Sequence, residues 1–512
     1  MSSPGCTLDK PRPDRRWLAA IGALLLAGCT VGPDFHRPDA PADDAYGKTL
    51  PPPTAAADDV AQGRRQRFDP AQDIPGDWWT LFRSRPLDDL IAEALRNNPD
   101  LDAARAALAQ AHQLTLAQRG AFLPALTASA SASREQDPSA TLAPAPSNNA
   151  FRYSLYTPRI SVSYAPDPFG LQRRTLESAR AQEQATRYEM IAAQVTLSTN
   201  VVQAVVQQAS LATQVDATRH IIAIDRDMVG ILQYQLKAGY ASGLDLAGQQ
   251  AQLAQAQAAL PPLEAQLDQQ RHALAALTGR TPAQMPDGDI ELASLQLPTE
   301  LPLSLPSQLV RQRPDVLQAE ANLHAANAQV GIAVANRFPN FQISADAGRN
   351  ALTLGHLFNA GTGLWSIAGE LTAPIFDGGA LRHQERAAKA ALAQSAAQYR
   401  STVLGALRNV ADTLTAIEHD AQALQAAAQA ADAAGTTRDL TSGRFHAGYV
   451  GELAVLAAAQ SWQQARIGLA QAQAARLSDT AALYQALGGG WWNRTGQTDA
   501  QARNQSISRD DD

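Results

Sequence analysis

Leu126-Thr127-Ala128-Ser129-Ala130-Ser131-Ala132-Ser133 alternates apolar and polar residues without a break. A period of two sends successive side chains to opposite faces, so this stretch reads as a β-strand with one apolar and one polar face. A Pro/Asn-rich loop follows from Pro138 to Asn149, after which Ile160, Val162 and Tyr164 alternate with Arg159, Ser161 and Ser163. The two runs predict a hairpin over about 124–165, with strands near the roughly ten residues that a tilted membrane-crossing strand needs. Periodicity alone fits a small soluble sheet as well.

Working outward, Pro166-Asp167-Pro168-Phe169-Gly170 ends the second strand and the period changes. No proline interrupts 171–237, which predicts a helix on the order of 100 Å long. The glycine-containing turn from Gly239 to Gly243 reverses the chain into a returning helix over about 245–278, where Pro261-Pro262 predicts a kink or a junction of two stacked helices. Upstream, Leu87, Leu90, Ile91, Ala94 and Leu95 recur at helical spacing, and Pro99 separates this helix from a second one ending near Gly120.

The same programme runs twice. Asn98-Pro99-Asp100 matches Arg313-Pro314-Asp315, and Leu123-Pro124 matches Phe338-Pro339, both at an offset of 215; Ala238-Gly239-Tyr240 matches Ala447-Gly448-Tyr449 at an offset of 209. The second copy predicts a hairpin over about 339–374, with Phe341, Ile343, Ala345 and Ala347 and then Ile367, Gly369, Leu371 and Ala373 on one face, a long helix over about 380–445 and a returning helix over about 453–487. The repeats are bounded at 77–290 and 300–490. Four strands cannot close a barrel, and an open edge in lipid leaves backbone groups unpaired. A membrane role therefore requires several copies, and three would supply twelve strands.

The amino terminus carries Lys10, Arg12, Arg15 and Arg16 ahead of an apolar stretch from Trp17 to Ala27, closed by Leu26-Ala27-Gly28-Cys29. This reads as a signal peptide over 1–28 with lipidation at Cys29; an ordinary secretory signal with a chance cysteine is the alternative. Removing 1–28 takes away a net charge of +2, so the formal charge of −7 becomes −9, which disfavours a nucleic-acid partner. Cys6 leaves with the signal, so no thiol remains for a disulfide. No metal-ligand, P-loop, Rossmann or Gly-x-Ser-x-Gly spacing occurs, so no cofactor, metal site or enzymatic activity is expected. Hydrophobic residues reach 45 % but aromatics only 5 %, a composition suited to long thin helices. Residues 29–76 read as an extended tether behind the lipid, and 491–512 as a disordered tail.

In this order, Cys29-Thr30-Val31-Gly32-Pro33-Asp34, Asp77-Trp78-Trp79, Arg313-Pro314-Asp315-Val316, Pro374-Ile375-Phe376-Asp377-Gly378-Gly379, Arg444-Phe445-His446-Ala447-Gly448 and Ala486-Leu487-Gly488-Gly489-Gly490-Trp491 resemble the outer-membrane factor family of TolC-like efflux channels, in its lipoprotein NodT-like branch. The resemblance implies a mixed α+β membrane protein: a homotrimer with a twelve-stranded transmembrane β-barrel, four strands per chain, continuous with a twelve-helix periplasmic tunnel. It implies partners in a periplasmic adaptor, an inner-membrane RND-type pump and outer-membrane lipid, and a passive path for drugs or other small solutes. It also implies a periplasmic gate near Gly239 and Gly448, where Asp245 matches an acidic position and Phe445 an aromatic one; Glu452 is added as the nearest acidic replacement in the second repeat. The family's acidic positions fall here on Ala454 and Ala457, and the usual arginine position on Val450. Asp245 and Glu452 can equally be helix-start residues that favour the positive end of the dipole. Two other readings stand beside efflux: an exit channel for type I protein secretion, and a periplasmic helical scaffold lipoprotein.

Overall fold

Two proline-free runs of the chain each fold as one unbroken helix of 67 residues, Leu171–Lys237 (α3) and Ala380–His446 (α7). The computed structural model describes residues 30–42, 45–47, 51–70, 72–136, 152–284, 288 and 290–494. The signal peptide, Cys29, the loop from Pro138 to Asn149 and the tail beyond 494 lie outside the described residues. The other helices are Arg85–Asn97 (α1), Pro99–Gly120 (α2), Gly243–Leu277 (α4), Pro306–Gln312 (α5), Pro314–Ala335 (α6) and Glu452–Ala486 (α8). The strands are Arg67–Asp69 (β1), Ala125–Gln136 (β2), Arg152–Tyr164 (β3), Glu300–Pro302 (β4), Asn340–Arg349 (β5) and Gly363–Thr372 (β6). The chain divides into two compact units.

The first unit comprises residues up to Arg37 together with 109–185 and 320–398. Its sheet is antiparallel in the order β2-β3-β5-β6, so the hairpins of the two repeats are joined through β3 and β5. The register aligns whole rows. Leu126, Val162, Ala345 and Ile367 stand side by side on one face, and Thr127, Ser161, Asp346 and Ser366 on the other. Asp346 accepts hydrogen bonds from the hydroxyls of Ser161 and Ser366, which ties the polar face across three strands. The apolar row is exposed at its two ends, Leu126 at 71 % and Ile367 at 73 %, and half-buried at Val162 and Ala345 between them. Each strand-to-helix turn carries an aspartate that accepts backbone N–H groups of the helix it launches. Asp167 takes Arg173 N–H at 2.9 Å, and Asp377 takes Gly379 N–H at 2.8 Å and Leu381 N–H at 2.7 Å, satisfying donors that a helix start leaves unpaired.

The second unit holds 38–108, 186–319 and the chain from Tyr399 onward. Trp78, Phe82, Leu87 and Ile91 are fully buried, with Trp78 stacked on Tyr484 at 5.1 Å between ring centres. Trp491 belongs to a neighbouring cluster with Ile191 and Leu317.

Three sequence expectations are corrected. Pro261 and Pro262 lie inside the single helix α4, so no junction of stacked helices forms there. A proline removes one donor and leaves the carbonyl four residues earlier unpaired; here Gln257 and Ala258 are exposed, where water can satisfy their carbonyls. The segment read as a free tether is laid against the body over much of its described length. Within the second unit, β1 pairs in parallel with β4, and the buried Gln66 donates to Pro298 O and Thr480 Oγ1, each at 3.0 Å. Side-chain bonds to distant backbone are invisible to composition. Finally, the stretch read as a disordered tail begins inside the packed body: Trp491–Asn493 forms a 3₁₀ turn, and Asn493 donates to Asp73 and to Ile74 O at 2.8 Å.

Candidate functional site at the glycine turns

Both long helices end in the same device. Gly239 has φ +81° and Gly448 φ +77°, the left-handed region that glycine enters without a Cβ penalty. In the first turn Tyr240 N–H donates to Gln235 O at 2.8 Å and Gly239 N–H to Leu236 O at 3.1 Å. In the second, Tyr449 N–H donates to Arg444 O and Gly448 N–H to Phe445 O, both at 2.9 Å. These are paired 6→1 and 5→2 bonds, which satisfy the last carbonyls of a helix. A Cβ on either glycine would meet nothing within 4 Å, so backbone conformation and not crowding is what requires glycine here.

The returning helices start differently. Ser242 Oγ accepts from Asp245 N–H at 3.2 Å, while Asp245 accepts from Ser242 N–H at 2.9 Å and from Ser242 Oγ–H at 2.7 Å, a reciprocal capping box. The Ser242 hydroxyl and then its backbone N–H hold the Asp245 carboxyl below the usual carboxylate range. In the second repeat the cap is Gly451, which brings no side chain, and Glu452 occupies the first turn of α8. Phe445 is 39 % exposed, with its ring 5.9 Å from that of His446. Among the described residues no side-chain bond joins Asp245, Phe445 and Glu452 to one another. Among the same residues Asp245 is engaged in a local cap, whereas Glu452 presents its carboxylate without a side-chain partner.

The sequence reading passed over three features. Tyr240, Leu244 and Tyr449 are each more than 80 % exposed at the turns; the repeated Ala-Gly-Tyr triplet was the available signal. Behind the first turn, Asp225 on α3 is fully buried and accepts from Gln249 Nε2 of α4 at 2.9 Å, while its other oxygen has no hydrogen-bond partner among the described residues. Burial raises its carboxyl above the usual range, against the lowering effect of Gln249. An aspartate within Ile221-Ile222-Ala223-Ile224-Asp225 could have flagged it. Behind the second turn, Trp462 of α8 lies 3.9 Å from the Arg438 guanidinium carbon and 5.1 Å from that of Arg466, which fastens α7 to α8 by cation–π attraction.

Farther along α8, Arg476 is fully buried and donates to Gln66, Thr54 Oγ1 and Arg64 O. Burial lowers its pKa to about 10. Nearby Asp420 is pushed up to about 7, first by burial and then by the adjacent Asp479 carboxyl. Among the described residues no group of three or more His, Cys, Asp or Glu could hold a metal ion, and no helix is long and apolar enough to cross a membrane.

Known proteins give this arrangement its context. The profile of the outer membrane efflux protein family matches residues 90–280 and 305–489, one stretch in each repeat. A probable efflux pump outer membrane protein of Pseudomonas putida, SepC, is 30 % identical over 483 residues, covering 94 % of this chain and 98 % of its own. The solved outer-membrane channel OprN superposes with a TM-score of 0.76 at 27 % identity, over 90 % of this chain and all of its own. The open-state MtrE outer membrane channel of Neisseria gonorrhoeae does so with a TM-score of 0.74 at 26 % identity, over 91 % of this chain and all of its own. With both repeats matched and the fold shared along nearly its full length, this chain belongs to the outer membrane efflux protein family, a family of channels and not of enzymes, and it is the outer-membrane channel of a tripartite efflux system that works with an inner-membrane pump and an adaptor.

Proposed function

We propose that three copies close their sheets into a twelve-stranded transmembrane barrel that continues into a twelve-helix periplasmic tunnel, lipid-anchored at Cys29, and that the assembly passively conducts small solutes handed over by an RND-type pump and its periplasmic adaptor. The observation that carries this reading is the sheet itself. It aligns an apolar row and a polar row across all four strands, leaves the apolar row exposed on the edge strands β2 and β6, and pairs those two strands on one side only among the described residues. Unpaired edges beside an apolar face are costly in lipid until further strands satisfy them. Relatives named for toluene and antibiotic efflux support small apolar or drug-like cargo.

At the tunnel's periplasmic end, the Gly239 and Gly448 turns carry the gate. Glu452 supplies its negative charge, Phe445 an apolar stop, and Asp245 a charge held in place by Ser242. The test is single-channel recording of the detergent-extracted oligomer in lipid bilayers, after native mass measurement. Three chains per particle and a pore whose cation preference falls in Glu452→Gln support the reading. Particles of one or two chains refute the barrel, and an unchanged preference in Glu452→Gln removes that residue from the gate.

A further inference from the structure

Residues 30–37 lie along one stripe of α6. Arg37 Nε meets Glu320 Oε1 at 2.7 Å, the Phe35 ring stacks on His324 at 4.2 Å and 11°, Asn327 Nδ2 donates to Pro33 O at 3.0 Å, and Gly32 rests against Gly331. Positions 320, 324, 327 and 331 follow the spacing of one helix face. A Cβ on Gly32, whose φ is +95°, would sit 2.5 Å from Gly331 Cα, so the two backbones touch where only glycine fits. From α3, the buried Arg174 donates to Val31 O at 3.2 Å, Gly32 O at 3.3 Å and Asp34 Oδ1 at 2.8 Å, and its remaining arm donates to Glu177 Oε2 at 2.8 Å. Glu177 also bonds His324 Nε2 at 2.8 Å, linking the two sides. Val31 N–H donates to Phe169 O at 3.2 Å, and a Cβ on Gly170 would strike Thr30 Cγ2 at 2.6 Å.

We infer that this stripe is a receiving seat for the chain's own amino-terminal segment, with Arg174 as its positioning residue, and that it transmits membrane anchoring to the Phe169–Gly170 turn between β3 and α3. The inference rests on the reading of Cys29 as the lipidated residue. A slack tether over 37–57 would let the anchor wander by roughly 25 Å from the body. The seat instead begins at Thr30, one residue after Cys29, and Thr30 and Val31 already lie against the turn that follows a strand of the sheet. Anchoring the lipid therefore brings the base of β3 to the membrane surface before the sheets of separate copies join.

The test uses the full-length protein processed in a bacterial envelope, with Pro33→Cys and Asn327→Cys as a reporter pair bridged by a short bifunctional thiol reagent. Gly32→Val alters only the peripheral segment and leaves the helices intact; Arg174→Met is the second variant. Intact mass reports acylation, cross-link yield reports the seat, and the fraction of detergent-resistant oligomer reports assembly. The expected result is efficient cross-linking in the parent, at least a fivefold loss in Gly32→Val and Arg174→Met with the acylated mass unchanged, and a parallel fall in assembled oligomer. Cross-linking equal to the parent in both variants overturns the seat, and loss of the cross-link with full assembly overturns its coupling to anchoring. A parent protein without an acyl group overturns the lipid reading and its anchoring consequence, while the cross-link still decides the seat.

Discussion

Replacing Gln249 by leucine should loosen α3 from α4 behind the first glycine turn, and more so at high pH. Among the described residues Gln249 Nε2 gives Asp225 its one side-chain hydrogen bond, at 2.9 Å, in a place where Asp225 is 0 % exposed and its second oxygen has no partner. Leucine fills the volume but leaves the carboxylate with no donor. A hydrogen bond to a charged group contributes about 1.5–3 kcal/mol, which corresponds to on the order of 10- to 150-fold in the equilibrium for local opening.

The pH dependence follows from burial, which holds the Asp225 carboxyl above its ordinary value of 3.8 in the folded state. A raised acid contributes stability that is full below the unfolded pKa and is lost as pH rises through the folded pKa. Without Gln249 the folded pKa rises further, so the loss extends to higher pH. The assay is hydrogen exchange of α3 amides around 218–229 by mass spectrometry at about pH 5 and pH 8, corrected for intrinsic rates. Gln249→Leu should lose protection chiefly at pH 8, and Asp225→Leu combined with Gln249→Leu should recover most of it. A loss independent of pH, or a double variant as loose as the single one, refutes the argument.

Two further outcomes are expected. Thermal stability should fall between about pH 4 and pH 8, because the folded-state Asp420 value near 7 lies above the ordinary 3.8 and the associated stability is lost as pH rises through it, and Asp420→Asn should flatten that fall; an unaltered profile of melting temperature against pH would show that another group controls it. Tyr484→Phe should raise stability by about 1 kcal/mol, since the Tyr484 hydroxyl is buried without a partner among the described residues while its ring stacks on Trp78. A lower thermal midpoint would show that the hydroxyl is bonded.

Much of the candidate site was legible because turn chemistry is local. Gly239, Gly448 and Asp245 are set by neighbours within five residues, and their bonds stay within that span. Asp245, read from the sequence as a gate charge or a residue suited to the helix dipole, forms a capping box with Ser242; Glu452 has no such partner among the described residues. Asp225 and Trp462 escaped because each acts through a partner on the other helix of a hairpin, more than twenty residues away. The unbroken helix through Pro261 and Pro262 escaped because local propensity counts the two lost donors but not the solvent access of the carbonyls they abandon.

By itself the sequence determined the repeat, the change from a period of two to helical periodicity, the two prolonged helices and the glycine turns, since each depends on side chains a few positions apart. Only the tertiary structure decided that β3 pairs with β5 so that apolar rows align, that Arg476 closes over Gln66 across 410 residues, and that residues 30–37 seat on α6. Those outcomes depend on which distant surfaces fit without clash and which buried polar atoms find partners, and neither is a property of any short stretch of chain.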